Sequence, residues 1–489
     1  MPRLHRSGKL IPGILLTVLT LLGAAFLLFS LYSTEMIPVL YLALASGGAL
    51  LGAVLTFLLT RRPERKVRLI LGIIWTALFL AASLGAGFVV QRAHTAVRAV
   101  TEPKAEVSNV SFYVKTGDEA WSLSDASSYT FGILKVQDRE GTDAALAQAA
   151  GQQGFALTTA EFDGMTQLAD ALRSGAVDGI VLNQAYLGLY EELDGYADFP
   201  SEIRALATES LSYPAEKAEV TPSPEEPAAE AASDSEVINL YISGSDTRED
   251  TLPGRTRSDV NIIASINTTA HKILLLSTPR DYYVPLSISG GVPDKLTHAG
   301  IYGVDVSMDT LEMLYGINIP YYFRVNFTGF VDIINALGGI DVQSDYEFTA
   351  GEYHFQQGSN TLDGEAALAF CRERYSFAEG DLQRGKNQMA VIRAVIQKAA
   401  SPAILTGYAD ILDSVQDYMQ TNVPYTLLAE LVREQLESGA SWEISTHSVD
   451  GTGDTQIPYS MSSSVYVMVP DTATVEHAKE LLAQTAAAS

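Results

Sequence analysis

Cysteine is almost absent. Cys371 stands alone among 489 residues, so no disulfide can form within the chain. Positive charge is scarce too: 32 Lys and Arg face 58 Asp and Glu, a formal net charge of −26. A chain this acidic lacks the basic footprint that nucleic acids require, and no nucleic-acid partner is expected. The seven histidines and the one cysteine show no spacing that marks a zinc site. The Gly290-Gly291 pair is too short to read as a phosphate loop. Missing crosslinks do not exclude a place outside the cell, because a large core stabilises a domain without them.

The charge that is present is unevenly spread. Residues 1–92 carry nine Lys and Arg against Glu35 and Glu64, a net of +7, which leaves −33 for the remainder. The same segment holds three long apolar runs, Leu10–Tyr32, Ile37–Thr60 and Leu69–Val90. Each is long enough to cross a bilayer core of about 30 Å. Residues 1–92 are therefore expected to form three transmembrane helices. A cleavable signal peptide is the competing reading of the first run, and two further spans directly after it argue against that. Arg3, Arg6 and Lys9 precede the first span, and Arg61–Arg68 holds five basic residues between the second and third. Positive-inside bias then puts the N-terminus in the cytoplasm and everything after about residue 92 outside. The expected location is the cell membrane, multi-pass, with the bilayer as a partner.

Residues 93–212 read as a small α/β lobe. Val110–Val114, Thr130–Val136, Phe155–Thr159 and Val177–Leu182 have strand character, and Asp143–Gly151 and Met165–Ser174 helical character. The alternation suggests parallel pairing. Leu168–Tyr186 resembles one half of an extracellular solute-binding protein, which leaves two roles open: a spacer or docking domain, or a small-ligand sensor. Residues 213–235, rich in Pro, Ala and Glu, cannot build a core and read as a linker.

The chemistry is concentrated in residues 236–487. Val237–Ile242 reads as a strand that turns through Ser243-Gly244-Ser245 and leaves Asp246 at its C-terminal edge. Asp259–Asn267 and Lys272–Ser277 flank a Thr-Thr-Ala-His turn and read as an antiparallel hairpin. Its open end gathers Arg257 and Asp259 with Arg280 and Asp281. Period 2 sets Arg257 and Asp259 on one side of the chain where it is extended, and by the same parity Arg372 and Arg374 face one way and Glu373 the other. Two arginines held side by side call for an anion between them. Asp381–Ala400 reads as a helix with Ile392, Val395, Ile396 and Ala399 as its core stripe, which Arg384 and Gln388 continue toward the N-terminus. The free N–H groups of a helix start suit a phosphate. Arginine forks beside aspartates suit a polyanion held with a cation, pyrophosphate with Mg²⁺ being the natural candidate. Cys371 reads as a core residue, and His298 either packs in a turn or touches the site.

Taken together, these segments resemble the LytR-CpsA-Psr family of extracytoplasmic phosphotransferases. The resemblance is carried by Gly244–Arg248, Arg257-Ser-Asp259, Ser277–Asp281, Lys295–Ala299, Ala336–Val342, Leu362–Leu368, Arg372-Glu-Arg374 and Gly380–Arg384 with Gln388. It implies an α/β/α sandwich around a mixed sheet, with an apolar groove for a polyprenyl chain. It implies transfer of a glycopolymer from a polyprenyl-pyrophosphate carrier to a muramic acid hydroxyl of peptidoglycan, with release of polyprenyl phosphate. By position, Asp246 and Asp259 match the carboxylates that hold Mg²⁺ (or Mn²⁺). Arg257, Arg280, Arg372, Arg374 and Gln388 match the pyrophosphate ligands, and Asp246, Asp259, Arg280, Arg372 and Arg374 the catalytic set. Asp281 and Arg384 match supporting positions. The chain departs from the family at Asn387, where an arginine is usual, and at Thr278, where an isoleucine is usual. A polyprenyl-pyrophosphate hydrolase and a non-enzymatic lipid-binding or regulatory envelope protein are the alternative readings.

Overall fold

The computed structural model describes residues 11–62, 65–102, 105–213, 237–245, 252, 254–399 and 416–488. Asp246 lies outside them, as does the expected linker apart from Tyr213. The chain divides into two compact units. The first holds Met1–Glu102, Ala400–Gln416 and Val423–Ser441, and the second holds the rest.

In the first unit, α1 (Ile11–Ser33), α2 (Val39–Thr60) and α3 (Lys66–Thr101) are each long and apolar enough to span a membrane. Their outer faces are large and apolar, with Leu22, Phe29, Leu51 and Phe88 exposed. Their contacts use small and hydroxyl residues, as helices in lipid do. Thr20 and Thr56 share a hydrogen bond of 3.1 Å. A Cβ on Gly52 would stand 2.3 Å from the Phe79 ring, so only glycine permits that approach. α3 runs past Val90, the end of its apolar run, to Thr101, because nothing between Gln91 and Thr101 breaks a helix. The helix Tyr425–Ser438 belongs to this unit, and the Tyr425 ring takes the Arg98 guanidinium at 5.1 Å. That helix lies within the expected 236–487 segment yet packs with the first unit.

The second unit begins with the small lobe. Strands β1 (Glu106–Lys115), β2 (Thr130–Leu134), β3 (Thr158–Phe162), β4 (Gly179–Asn183) and β5 (Ile203–Tyr213) form one sheet in the order β3-β2-β4-β1-β5. β2 is parallel to β3 and β4, as the intervening helices Arg139–Gln153 and Met165–Ser174 require. β1 is antiparallel to both β4 and β5, which corrects the parallel expectation. β5, a strand not anticipated, follows β4 through a 3₁₀ helix (Gln184–Glu192) and pairs along the other edge of β1. Tyr186, Leu189 and Tyr190 of that 3₁₀ helix are buried in a cluster that also takes in Ile301, Met461 and Val465. The lobe thus shares a core with the segments that follow it.

Those segments build a six-stranded mixed sheet: Met419–Thr421, Tyr321–Asn326, β6 (Val237–Ser245), β7 (Val260–Asn267), β8 (Lys272–Ser277) and Glu443–Ser448. β6, β7 and β8 run antiparallel in succession, while Tyr321–Asn326 and Glu443–Ser448 join the two sides in parallel. β7 and β8 are buried at nearly every position because both faces are covered. Ile263, Leu274 and Leu276 face the helices Val304–Tyr315 and Thr472–Ala487, and Ile262, Ala264, Ile273 and Leu275 face the helix Asp381–Ala399. This is the expected α/β/α sandwich. On the last helix Met389 and Val391 are buried, Ile392 and Ile396 half-buried, and Ala399 is exposed, so the stripe ends earlier than expected.

Residues 364–372 are helical, which overturns the parity argument for Arg372 and Arg374. The Asp363 carboxylate accepts a hydrogen bond from Ala366 N at 2.9 Å and caps the helix. Arg372 closes its last turn and Glu373 leaves it with extended backbone. Asp363→Ala is expected to cost about 1 kcal/mol of stability, the usual worth of an N-cap, visible as a lower thermal midpoint by circular dichroism.

Candidate functional site

The hairpin β7–β8 brings its two open ends together as expected. Arg280 donates from Nη1 to Asp259 Oδ1 at 2.6 Å. The loop before β7 is held by a buried polar cluster. The Tyr241 hydroxyl donates to Asn261 Oδ1 at 2.7 Å, Ser258 Oγ reaches the same oxygen at 2.9 Å, and Asn261 Nδ2 donates to Ser258 O at 3.0 Å. Thr278, the departure next to Pro279, is buried with its hydroxyl 2.7 Å from the Tyr315 hydroxyl. The polar side chain there is satisfied, so the change from an apolar residue leaves the strand end in place.

Helix Asp381–Ala399 arrives at this strand end through Gly380, whose φ of 52° favours glycine. Gly385 then lets the first turns approach β8, since a Cβ there would meet Ser277 Oγ at 2.9 Å. The result is a small polar pocket between hairpin and helix, lined by Asp259, Arg280, Ser448, Asp381, Arg384 and Gln388 among others. Arg384 pairs with Asp381. Burial raises the Asp381 carboxyl, although Arg384, Arg280 and Arg374 pull it down. Ser448 Oγ is buried there with no hydrogen-bond partner. Asn387, the other departure, does not line the pocket. It is buried and donates from Nδ2 to Phe370 O at 3.3 Å.

The remaining expected residues are placed differently. Residues 254–259 form a loop, so strand parity does not apply to Arg257 and Asp259. Arg257 turns toward the small lobe: Nη1 donates to Gly188 O at 3.0 Å and Glu192 Oε1 at 3.2 Å, and Nη2 to Glu191 Oε2 at 3.1 Å. Arg372 is exposed, its guanidinium 4.6 Å from the centre of the Phe327 ring. Arg374 donates to the Tyr375 hydroxyl at 2.6 Å. Asp281 lies 3.2 Å from Lys295 Nζ and 3.7 Å from Arg280 Nε. Cys371 is buried, which pushes its thiol up and fits a core role.

Sequence reasoning missed Glu192, and gave no role to Lys295. Lys295 Nζ donates to Glu192 Oε2 at 2.6 Å. His298, fully buried, stands between Asp294 Oδ1 at 2.7 Å and Glu192 Oε1 at 3.6 Å. Burial alone would raise the Glu192 carboxyl, but His298 and Lys295 outweigh it and hold it well below the usual carboxylate range. Burial likewise opposes the charged forms of Arg280 and His298. Asp259, Asp281 and Glu192 more than restore the first, and Asp294 and Glu192 push the second up to about 9.

Among the described residues no three His, Cys, Asp or Glu are grouped to hold a metal ion. Asp259 and Asp381 offer carboxylates to the pocket, the first paired with Arg280 and the second with Arg384. A hard cation that takes one or two carboxylates and completes its shell with phosphate oxygens and water fits such a site, and a closed protein cage does not.

Residues 205–484 match the model of the LytR_cpsA_psr family. The chain belongs to the LytR-CpsA-Psr family. Its relatives include the polyisoprenyl-teichoic acid–peptidoglycan teichoic acid transferase TagU of Bacillus cereus (strain AH820), 39% identical over 195 residues, which are 40% of this chain and 63% of that protein. TagU of Oceanobacillus iheyensis is 37% identical over 227 residues, 45% of this chain and 69% of that one. The match to the Bacillus cereus protein thus spans under two thirds of its length. The crystal structure of B. subtilis TagV overlaps 53% of this chain and all of its own with 27% identity and a TM-score of 0.44. The family match opens at residue 205, inside β5, so Glu191, Glu192 and most of the lobe precede it.

A histidine of ordinary value 6.5 that is raised to about 9 on folding adds stability that is complete below about pH 6.5 and is lost as pH rises through about 9. The stability of the folded protein is expected to fall across that window by roughly 3 kcal/mol. His298→Gln should flatten the fall in calorimetric scans taken across pH.

Proposed function

We propose that this protein is a membrane-anchored phosphotransferase that moves a glycopolymer from a polyprenyl-pyrophosphate carrier to a peptidoglycan hydroxyl. The observation that carries this reading is the pocket between hairpin and helix, where Asp259 and Arg280 from the strand ends meet Arg384 and Gln388 from the helix start. It lies inside the family-matched residues, and relatives named teichoic acid transferases support the reaction class.

Pyrophosphate is dense in charge, and arginine forks fix its oxygens better than lysine does. In the transition state, charge spreads over the transferred phosphoryl group and the leaving phosphate, where fixed arginines act most strongly. The acceptor hydroxyl attacks the phosphorus that bears the glycan. A new P–O bond forms, the P–O–P bridge breaks, and polyprenyl phosphate leaves with the electron pair. In this reading an aspartate near the metal, Asp259 or Asp246, takes the hydroxyl proton. Mg²⁺ (or Mn²⁺), held by Asp259 and Asp246 with phosphate oxygens, would supply further neutralisation of the pyrophosphate. Arg372 stands over Phe327, the first residue of the apolar helix Phe327–Ala336, most of which is only half-buried. A phosphate taken by Arg372 would lead its lipid tail onto that helix.

The basic loop Arg61–Arg68 between α2 and α3 supports a cytoplasmic N-terminus and an extracytoplasmic site, where lipid-linked polymer and peptidoglycan meet. With full-length protein in detergent and a polyprenyl-pyrophosphate sugar, release of polyprenyl phosphate should require a divalent cation. Asp259→Ala and Arg372→Ala should each cut it about 10²-fold or more, as loss of one transition-state partner does. Release that continues unchanged in both variants would sink the reading. A peptidoglycan acceptor that fails to divert the sugar from water would leave a hydrolase instead.

A further inference from the structure

We propose that the small lobe contributes Glu192 and Glu191 to the active site as built-in counter-ions, which hold Arg257 and Arg280 until a pyrophosphate displaces them. This rests on the pyrophosphate reading of the site. Four basic groups surround Glu192: Arg257 at 3.2 Å, Arg280 at 4.0 Å, Lys295 at 2.6 Å and His298 at 3.6 Å. Its side chain is only 12% exposed, so these are charges largely removed from water. Buried cations without anions are costly, and this cluster is complete only with the lobe's carboxylate in it. Arg257 points both terminal nitrogens at lobe oxygens, and Arg280 bridges Glu192 to Asp259 in the pocket. A carboxylate and a phosphate oxygen compete for the same guanidinium fork, but pyrophosphate brings more charge.

The exchange is local. Leu189 and Tyr190 keep the 3₁₀ helix seated in the shared core, and Glu191 is already 61% exposed, so rotation of Glu191, Glu192 and Arg257 side chains suffices. Glu192 is thus a positioning residue in the resting protein and a competitor during binding. Lys295 and His298 are the groups that receive it back.

The test is calorimetric titration of full-length protein in detergent with inorganic pyrophosphate and Mg²⁺. Wild type is compared with Glu191→Gln/Glu192→Gln, Gly188→Ala and Arg280→Ala, each checked for folding by circular dichroism. Gly188→Ala adds a Cβ 3.0 Å from the Arg257 guanidinium carbon and loosens the contact without removing a charge. Binding at least about tenfold tighter in the double variant, the scale of one charge-assisted hydrogen bond, tighter binding in Gly188→Ala, and loss in Arg280→Ala are expected. KM for the lipid substrate should fall in the same two variants. Equal affinity in wild type and both lobe variants would overturn the counter-ion proposal and leave the site reading intact. A fall in kcat with KM unchanged would also overturn it, because that marks a structural prop. Binding in none of the four proteins would overturn both.

Discussion

The constraint on which this site depends is that a charge taken out of water must keep a partner. Arg280 illustrates it. Its side chain is 16% exposed, and it meets Asp259, Asp281 and Glu192 from three different segments. Two of those carboxylates are shared: Asp281 and Glu192 also hold Lys295, and Glu192 also holds Arg257 and His298. The arrangement is a network, and removing one member leaves others buried and unpaired. That is why the charged residues of an acidic chain gather here rather than stay solvated.

The sheet turns this network into a site. β7 and β8 are covered on both faces, so their apolar side chains fix the register and hold the strand ends still. The hairpin then delivers Asp259 and Arg280 to one another without further help. What the hairpin cannot supply is the opposite wall. That wall comes from the helix Asp381–Ala399, and its distance is set by a residue without a side chain, Gly385 against Ser277. A methyl group there would push Arg384 and Gln388 away from Asp259. The positions of the polar groups thus rest on a backbone approach and on two apolar cores.

Much of this was legible in the sequence, for local reasons. The three membrane helices, the hairpin and the pocket-facing start of the 381–399 helix each show within one stretch of residues, by run length, by a turn between apolar strands, or by i, i+4 spacing. Arg372 and Arg374 were misread because a short segment carries both periods, and the capping Asp363 nine residues earlier was the better signal. β5 and its antiparallel pairing were missed because pairing with β1 is a contact across the lobe, with no local mark. Glu192 was missed for the same reason. Its partners lie 65 residues away at Arg257 and 103 at Lys295, and no spacing in Tyr190-Glu-Glu-Leu ties them together.

The position of Glu192 also bears on how a family fold acquires a domain. An added lobe that merely tethered the chain would touch its neighbour through polar surface, as loosely docked domains do. This one shares an apolar cluster with Ile301, Met461 and Val465, and it places a carboxylate among the basic groups of the site. Apolar burial fixes where the 3₁₀ helix sits, and the ion cluster fixes which way its last residue points. Each makes the other specific: a shifted helix would take Glu192 away from its partners, and a missing Glu192 would leave Arg257 with Glu191, Lys295 with Asp281 and His298 with Asp294, each with one carboxylate fewer. The proposed transfer chemistry therefore has to be understood with the lobe's carboxylate beside Arg257 and Arg280.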